Sequence, residues 1–359
     1  MPKKKKKHSE KPESPATSSR KGEHVNLVTS ADVSHRQIRT GFETLRFEHC
    51  ALPELALSEV DTSTEFLGKS LSVPLLISSM TGGYEEAEAI NRSFGRAANY
   101  FGLAIGIGSA RQALENKKHY RSFSIVRKEH PKGLVFTNIG GAEIAALAAK
   151  NKLASLQTII DLVEADAVIV HLNPLQELMQ PEGSRDFRGI LPAIEQLCKS
   201  VHPPVIVKEV GAGISKAVAR QLVTAGVRAI DVAGAGGTSW AGVEILRHQE
   251  IDRSKLDPFW DWGIPTLDAL QGVRELKQSM TFGLIASGGI RNGLDAAKAF
   301  ALGADLVGIA QPIIQAFKDD GDEGLIEYLQ STIDQLKMTM LLTGSKTIAD
   351  LSEKTLFKY

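Results

Sequence analysis

From Val73 to Ile309 the chain repeats one pattern: a short run of apolar and β-branched residues, then a stretch with helical spacing. The runs are Val73–Ser79, Leu103–Gly108, Gly133–Asn138, Ala167–Leu172, Pro204–Glu209, Arg228–Val232, Phe282–Ser287 and Ala304–Ile309. Several are apolar almost throughout, as strands buried on both faces should be. Between them, stretches such as Ile214–Ala225 carry apolar residues at i, i+3 and i+4. Eight strands alternating with helices predict an α/β protein, a (β/α)8 TIM barrel with an N-terminal extension and a C-terminal helix. The main competitor is an open doubly wound sheet. That fold would place Gly-x-Gly-x-x-Gly in its first strand–helix turn, and Ser79-Met80-Thr81-Gly82-Gly83 does not supply it. The repetition is structural, with no repeat in the residues themselves.

At 359 residues the chain suits one barrel with extensions. Residues 1–19, with consecutive lysines from Lys3 to Lys7, read as a disordered basic tail. No apolar stretch follows those lysines, so the tail is not a secretory signal. Residues 20–72 read as an arm and capping segment, with 36–70 covering the bottom or side of the barrel. Residues 73–359 form the barrel, with an insertion at 240–265 and a closing helix over Glu323–Leu342. Lys+Arg and Asp+Glu each total 42, so no global field favours nucleic acid or membrane as a partner. Any anionic ligand must be held by local groups. Cys50 and Cys198 match no metal spacing and read as reduced residues of a cytoplasmic protein. No apolar run has the length of a membrane span.

Catalytic groups of such a barrel lie at the C-terminal ends of its strands. Polar residues occur there after every run, while the strand bodies stay apolar. The seventh run ends in Ser287-Gly288-Gly289-Ile290-Arg291, and the eighth is followed by Ala310-Gln311. Glycine lets the backbone approach an anion, and free N–H groups at a helix start can hold it. This segment is either a phosphate grip or a tight turn that needs glycine for geometry alone. Gly234-Ala235-Gly236-Gly237-Thr238-Ser239-Trp240 is a second glycine-rich turn, so the ligand has extended phosphate and ring parts. Lys208 ends an apolar strand and needs an anionic partner, either a neighbouring carboxylate or a polarised ring atom. Asn138 and Thr238 have the donors and acceptors to meet a heterocycle edge. Glu177 is either a ligand for a hard cation such as Mg2+ or an ordinary loop carboxylate. His171 is either an acid/base or a member of the rim network. Arg20, Lys21 and His24 are either solvated charge or an anion-binding arm that closes over the site.

These residues resemble the type 2, flavin-dependent isopentenyl-diphosphate delta-isomerase family, from about Arg20 onward. The resemblance rests on Arg20-Lys21-x-x-His24, Met80-Thr81-Gly82-Gly83, His171-Leu172-Asn173-Pro174-Leu175-Gln176-Glu177, Val207-Lys208-Glu209-Val210-Gly211 and Asp231-Val232-Ala233-Gly234-Ala235-Gly236-Gly237-Thr238-Ser239-Trp240. The Ser-Gly-Gly-Ile-Arg segment is shared more widely among FMN barrels. The resemblance implies that Ser79, Met80, Thr81, Ser109, Asn138, Lys208, Ser215 and Thr238 surround the flavin. Lys208 would face its N1–O2 edge. Gly288, Gly289, Ile290 and Arg291, with Ala310 and Gln311, would hold the FMN phosphate. Arg20, Lys21, His24 and Arg111 would reach the substrate diphosphate, with Ser109 and Ala110 beside them. Gln176, His171, Lys208 and Trp240 would form the catalytic group, with Gln176 near the double bond. Glu177 would hold Mg2+. Many relatives carry glutamine where this chain has Ala110, which puts one substrate contact in doubt.

The reaction implied moves the double bond of isopentenyl diphosphate to give dimethylallyl diphosphate, with no net redox change. Reduced FMN would act through its N5 as acid/base, and NADPH would supply the reduction. A homo-oligomer, tetramer or octamer, is the assembly such a resemblance implies. Two rivals stand: an FMN-dependent 2-hydroxy-acid oxidase, and a non-catalytic phosphate-binding barrel.

Overall fold

In a computed structural model, described for residues 15–248 and 253–358, eight parallel strands close a barrel. They are β1 (Leu75–Ile77), β2 (Ala104–Gly106), β3 (Val135–Gly140), β4 (Ala167–His171), β5 (Val205–Lys208), β6 (Ala229–Asp231), β7 (Gly283–Ala286) and β8 (Leu306–Ile309). Each pairs with its neighbour in sequence, and β8 returns to β1. Seven lie within the runs expected from the sequence, and β3 extends two residues past its run, to Gly140. The seven are shorter than their runs because residues at the run ends leave the ladder to enter the loops. The register places Lys208 beside both His171 and Asp231, which brings three ionisable side chains to one sector of the rim.

Two apolar layers follow from strand alternation. Leu76, Ala104, Phe136, Ile169, Ile206, Ala229, Ile285 and Leu306 belong to a buried cluster that Phe66 and Leu71 complete. Phe66 and Leu71 belong to a two-stranded hairpin, Thr64–Phe66 with Lys69–Leu71. Its turn, Leu67-Gly68, has positive φ at both residues, as a tight hairpin turn requires. This hairpin plugs the bottom of the barrel, within the segment expected to cap it. The larger cluster joins the outer strand faces to helices such as Ala87–Phe101, Lys216–Thr224 and Gly293–Ala301.

The N-terminal segment differs in detail from the sequence reading. Residues 1–14 of the expected basic tail lie outside the described residues. Pro15–Ser30 is one helix, so the arm begins inside the segment assigned to the tail. Its Val25 and Val28 are buried, which seats the helix on the barrel. The insertion at 240–265 contains the helix Trp240–Arg247, and its residues 249–252 lie outside the described residues. The closing helix over Glu323–Leu342 is present as the second part of Gln311–Leu342, set off from a preceding helix by non-helical Asp320 and Gly321, where Gly321 has φ 63°. Glycine allows that reversal without a Cβ clash. Leu45–Phe47 pairs antiparallel with Leu356–Lys358, tying the segment before the barrel to the one after it.

Candidate active site

A cavity of about 910 Å³ opens at the C-terminal rim of the barrel. Its wall includes Ser79, Met80, Thr81, Ser109, Arg111, Asn138, His171, Gln176, Glu177, Lys208, Thr238 and Trp240. Gly288, Gly289, Ile290, Arg291, Ala310 and Gln311 continue it, and Arg20, Lys21 and His24 close the mouth. The strand ends and the N-terminal helix therefore meet over one space. Two expected site residues do not reach it. Ala110 is wholly buried, and its N–H donates to the Asn138 carbonyl at 2.8 Å. Ser215 caps the helix Lys216–Thr224, accepting from the Val218 N–H at 3.3 Å, and lies outside the cavity wall. Its type and position suit a helix N-cap.

The two glycine-rich turns pack directly on each other. A Cβ on Gly237 would collide with the backbone of Gly289, and one on Gly288 with the backbone of Gly234. Gly288 and Gly289 also have φ of 102° and 74°. Glycine is thus required by contact as well as by conformation. Beside them, Thr238 donates to Gln311 Oε1 at 2.8 Å and Arg291 donates to the same oxygen at 3.0 Å. Gln311 in turn donates to the Val28 carbonyl at 3.0 Å, so the phosphate-type turn touches the N-terminal helix. Burial lowers the Arg291 pKa from its ordinary value, so an anion at this turn would relieve a desolvated charge.

At the deeper end, Lys208 is buried and donates to the Glu209 carbonyl at 2.7 Å. The Glu209 carboxylate accepts the N–H groups of Val210, Gly211 and Ala212, which commits it to shaping the turn. His171 Nδ1 lies 2.8 Å from Asn138 Oδ1. That oxygen can only accept, so Nδ1 carries the proton. Burial, with Lys208 nearby, lowers the His171 pKa to about 4. The ring is therefore neutral at pH 7 and holds the Asn138 amide in place. Several buried hydroxyls around the floor, including Ser79 Oγ and Thr81 Oγ1, have no hydrogen-bond partner within the protein.

The mouth is cationic but tethered. Lys21 donates to the carbonyls of Gly82 and Ser109. Burial, then Arg20 and Arg111, lowers its pKa to about 7. Arg20 lies 3.4 Å from Glu182, and Arg111 pairs with Glu143 at 2.9 Å. Glu177 accepts from Asn173 at 3.2 Å and from the Ser184 N–H at 2.6 Å. Among the described residues no group of three His, Cys, Asp or Glu could cage a metal. The donor set fits a magnesium ion only if substrate oxygens and water complete it, which is the usual habit of that ion with phosphates.

Glu244 and Gln112 escaped the sequence reading, and Asp231 was read only as part of a motif, with no role. Glu244 is wholly buried and accepts from Gln176 at 3.1 Å and from Arg247 at 2.6 Å. Its Oε1 also lies 2.9 Å from His24 Nε2, in close contact but off the hydrogen-bond line. His24 packs edge-to-face on Trp240, with ring centroids 5.3 Å apart. Glu244 follows Trp240 by four residues on one helix, a spacing that puts both on one face; that was the available signal. Gln112 lines the cavity two positions after Ala110, with a buried Oε1 lacking a partner. Asp231 is the register partner of Lys208 and does not line the cavity.

The unpartnered hydroxyls, the glycine cradle and the buried Lys208 and Arg291 fit a flat polar ring carrying a phosphate, as in FMN. Residues 173–358 match the family described as FMN-dependent dehydrogenase. A protein of Chlorobaculum parvum named isopentenyl-diphosphate delta-isomerase is 45% identical over 353 residues, 95% of this chain and 97% of its own. One of Cronobacter sakazakii with the same name is 46% identical, covering 94% and 96%. Another, of a Synechococcus strain, is 49% identical, covering 91% and 92%. A flavocytochrome b2 variant superposes with a TM-score of 0.68 at 19% identity, over 93% of this chain and 82% of its own. A mandelate oxidase variant carrying a monooxide FMN adduct gives 0.64 at 18%, over 94% and 92%. At such identities these two likenesses establish the barrel and nothing about substrate. With close to half its residues shared along nearly its whole length, the chain belongs to the isopentenyl-diphosphate delta-isomerase family, built on the barrel of FMN-dependent dehydrogenases.

Proposed function

We propose that the chain converts isopentenyl diphosphate to dimethylallyl diphosphate by a redox-neutral 1,3-allylic shift. It would use reduced FMN, with NADPH as reductant and Mg2+ on the diphosphate. The observation that carries this reading is the meeting of two anion grips on one cavity. Arg20, Lys21 and His24 line its mouth, while Gly288 to Arg291 line its far side. One grip suits the FMN phosphate and the other a substrate diphosphate. The same-named relatives support the substrate assignment.

Reduced FMN, when bound, supplies the acid/base group at the alkene through its N5. The chain's own residues bind and orient. Lys208 places a cation at the end of β5, suited to negative charge on the ring's N1–O2 edge. His171 holds Asn138 at the ring-binding surface. Glu244 fixes the amide of Gln176, so Gln176 faces the cavity in one orientation. Trp240 and His24 form an aromatic wall between the mouth and the floor. The diphosphate provides binding energy that positions the double bond. Glu177 contributes one carboxylate to Mg2+.

We assign the cytoplasm as the site of action and a homo-oligomer as the working form. Among the described residues no helix is long and apolar enough to cross a membrane.

The deciding experiment is anaerobic. Protein, FMN, NADPH, Mg2+ and isopentenyl diphosphate are mixed, and dimethylallyl diphosphate and NADPH are followed together. Product far in excess of NADPH consumed supports the isomerase. Stoichiometric NADPH loss without isomer favours an oxidoreductase. Lys208→Ala is expected to lose flavin affinity or turnover, and Glu177→Gln to raise the Mg2+ requirement. Unchanged flavin content and activity in the first, or unchanged Mg2+ dependence in the second, would remove those roles.

A further inference from the structure

Arg111, expected to grip the substrate diphosphate, meets two carboxylates at the cavity mouth. Its Nη1 donates to Glu143 Oε1 at 2.9 Å, and its Nε donates to Glu115 Oε1 at 3.4 Å. All three residues line the cavity. A guanidinium offers an oxyanion two bidentate edges, Nε with Nη2 and Nη1 with Nη2. Here a carboxylate sits at the outer nitrogen of each edge. A diphosphate that takes a two-bond grip has to share or displace one of them.

The two carboxylates are not equivalent. The Glu115 side chain is 58% exposed, and its pair with Arg111 lies within one short helix, Arg111–Glu115. Solvent screens such a pair and leaves it weak. The Glu143 side chain is 24% exposed and comes from another element, the helix Gly141–Ala149 that follows β3. Its second oxygen is seated on the rim. A Cβ on Gly140 would lie 1.9 Å from Glu143 Oε2 and 3.2 Å from His171 Nε2. Gly140 has φ −76° and ψ 149°, a conformation open to any residue, so contact rather than backbone geometry accounts for glycine there. Glu143 also falls in the first turn of its helix, where the peptide dipoles favour a negative side chain. The carboxylate therefore has support of its own when a ligand takes Arg111.

We propose that Glu143 tempers the grip on the substrate diphosphate: its seated carboxylate competes with the diphosphate for the Arg111 guanidinium. This rests on the reading of Arg111 as a diphosphate ligand given above. Substrate and product of that reaction carry the same diphosphate, so a tighter hold on that group binds both alike and gives the chemical step nothing. Glu143 is a positioning residue that acts through Arg111, on capture and release.

Glu143→Gln is the informative change, because an amide oxygen still accepts from Arg111 while the charge is gone. Isothermal calorimetry measures binding of inorganic pyrophosphate to the FMN-saturated full chain with Mg2+ present. E143Q is expected to bind pyrophosphate about fivefold more tightly than wild type. The inhibition constant of dimethylallyl diphosphate should fall by the same factor, with flavin content unchanged. Unchanged or weaker pyrophosphate binding in E143Q would overturn the proposal. R111M separates this inference from the reading beneath it. If R111M binds pyrophosphate as wild type does, the diphosphate role of Arg111 fails and the proposal falls with it. If R111M binds weakly while E143Q gains nothing, the proposal alone fails. The carboxylate's direct repulsion of the anion acts with or without Arg111, so the double variant measures the competition itself. E143Q should gain less in the R111M background than in wild type; equal gains would overturn the pairing.

Discussion

The side-chain amide of Gln176 donates to the Glu244 carboxylate across 3.1 Å, joining the segment after β4 to the helix after β6. Arg247 donates to the same carboxylate, and His24 of the N-terminal helix lies against it. One buried acid thereby organises three separate parts of the mouth. Glu244→Gln should reduce turnover sharply, because Gln176 loses its fixed acceptor and Arg247 its paired charge. Breaking such buried charge-assisted bonds costs about 1–3 kcal/mol each. Steady-state kinetics should show kcat falling more than KM rises; wild-type kcat would refute the organising role.

Lys21 makes diphosphate binding proton-linked. Its pKa is held down to about 7 by burial and by Arg20 and Arg111. At pH 8 most Lys21 is neutral, and an arriving diphosphate favours the charged form. Binding should therefore take up a proton. Calorimetry in two buffers of different ionisation enthalpy measures that uptake, and Lys21→Met should abolish it. The same shift bears on folding. The unfolded chain binds the proton more tightly, so the destabilisation from Lys21 is fully present below pH 7. It is relieved as pH rises from about 7 towards 10.5, the unsupported value.

Gly237→Ala should empty the phosphate-type turn without unfolding the barrel. Its Cβ would collide with the backbone of Gly289, and backbone cannot rotate away as a side chain can. Overpacking of this kind costs roughly 1–3 kcal/mol. The expected outcome is a protein with wild-type circular dichroism that loses FMN on gel filtration. Retained flavin would show that the two turns can separate freely.

Phe66→Ala offers a contrast, since Phe66 plugs the barrel bottom, away from the rim. Truncating a buried phenylalanine costs about 3–5 kcal/mol. Thermal melting should drop while KM at permissive temperature stays as in wild type. A changed KM would mean that the plug communicates with the rim.

Much of the site was legible because its requirements are local. Glycine at 288 and 289 announces a turn with positive φ, and Lys208 at the end of an apolar run announces a charge that must be answered. Ser215 and Ala110 show that a residue near a motif need not line the cavity: one caps a helix, and the other is buried in the core. His171 was open between an acid/base and a member of the rim network, and its bond to Asn138 places it in that network. The helix of Arg20, Lys21 and His24 was hidden by its weak apolar pattern, since only residues such as Val25 and Val28 pack inward.

The sequence by itself determined the alternation of strands and helices, the two-sided burial of the strands and the glycine turns at the rim. These follow from residue period and backbone sterics, which act over a few residues. Tertiary structure alone decided which charges answer one another. Glu244 meets Gln176 and Arg247, and Lys21 meets the Gly82 and Ser109 carbonyls from a separate helix. Such pairings depend on how the barrel closes, because a charge's partner and its exposure to water exist only once distant segments share one buried volume.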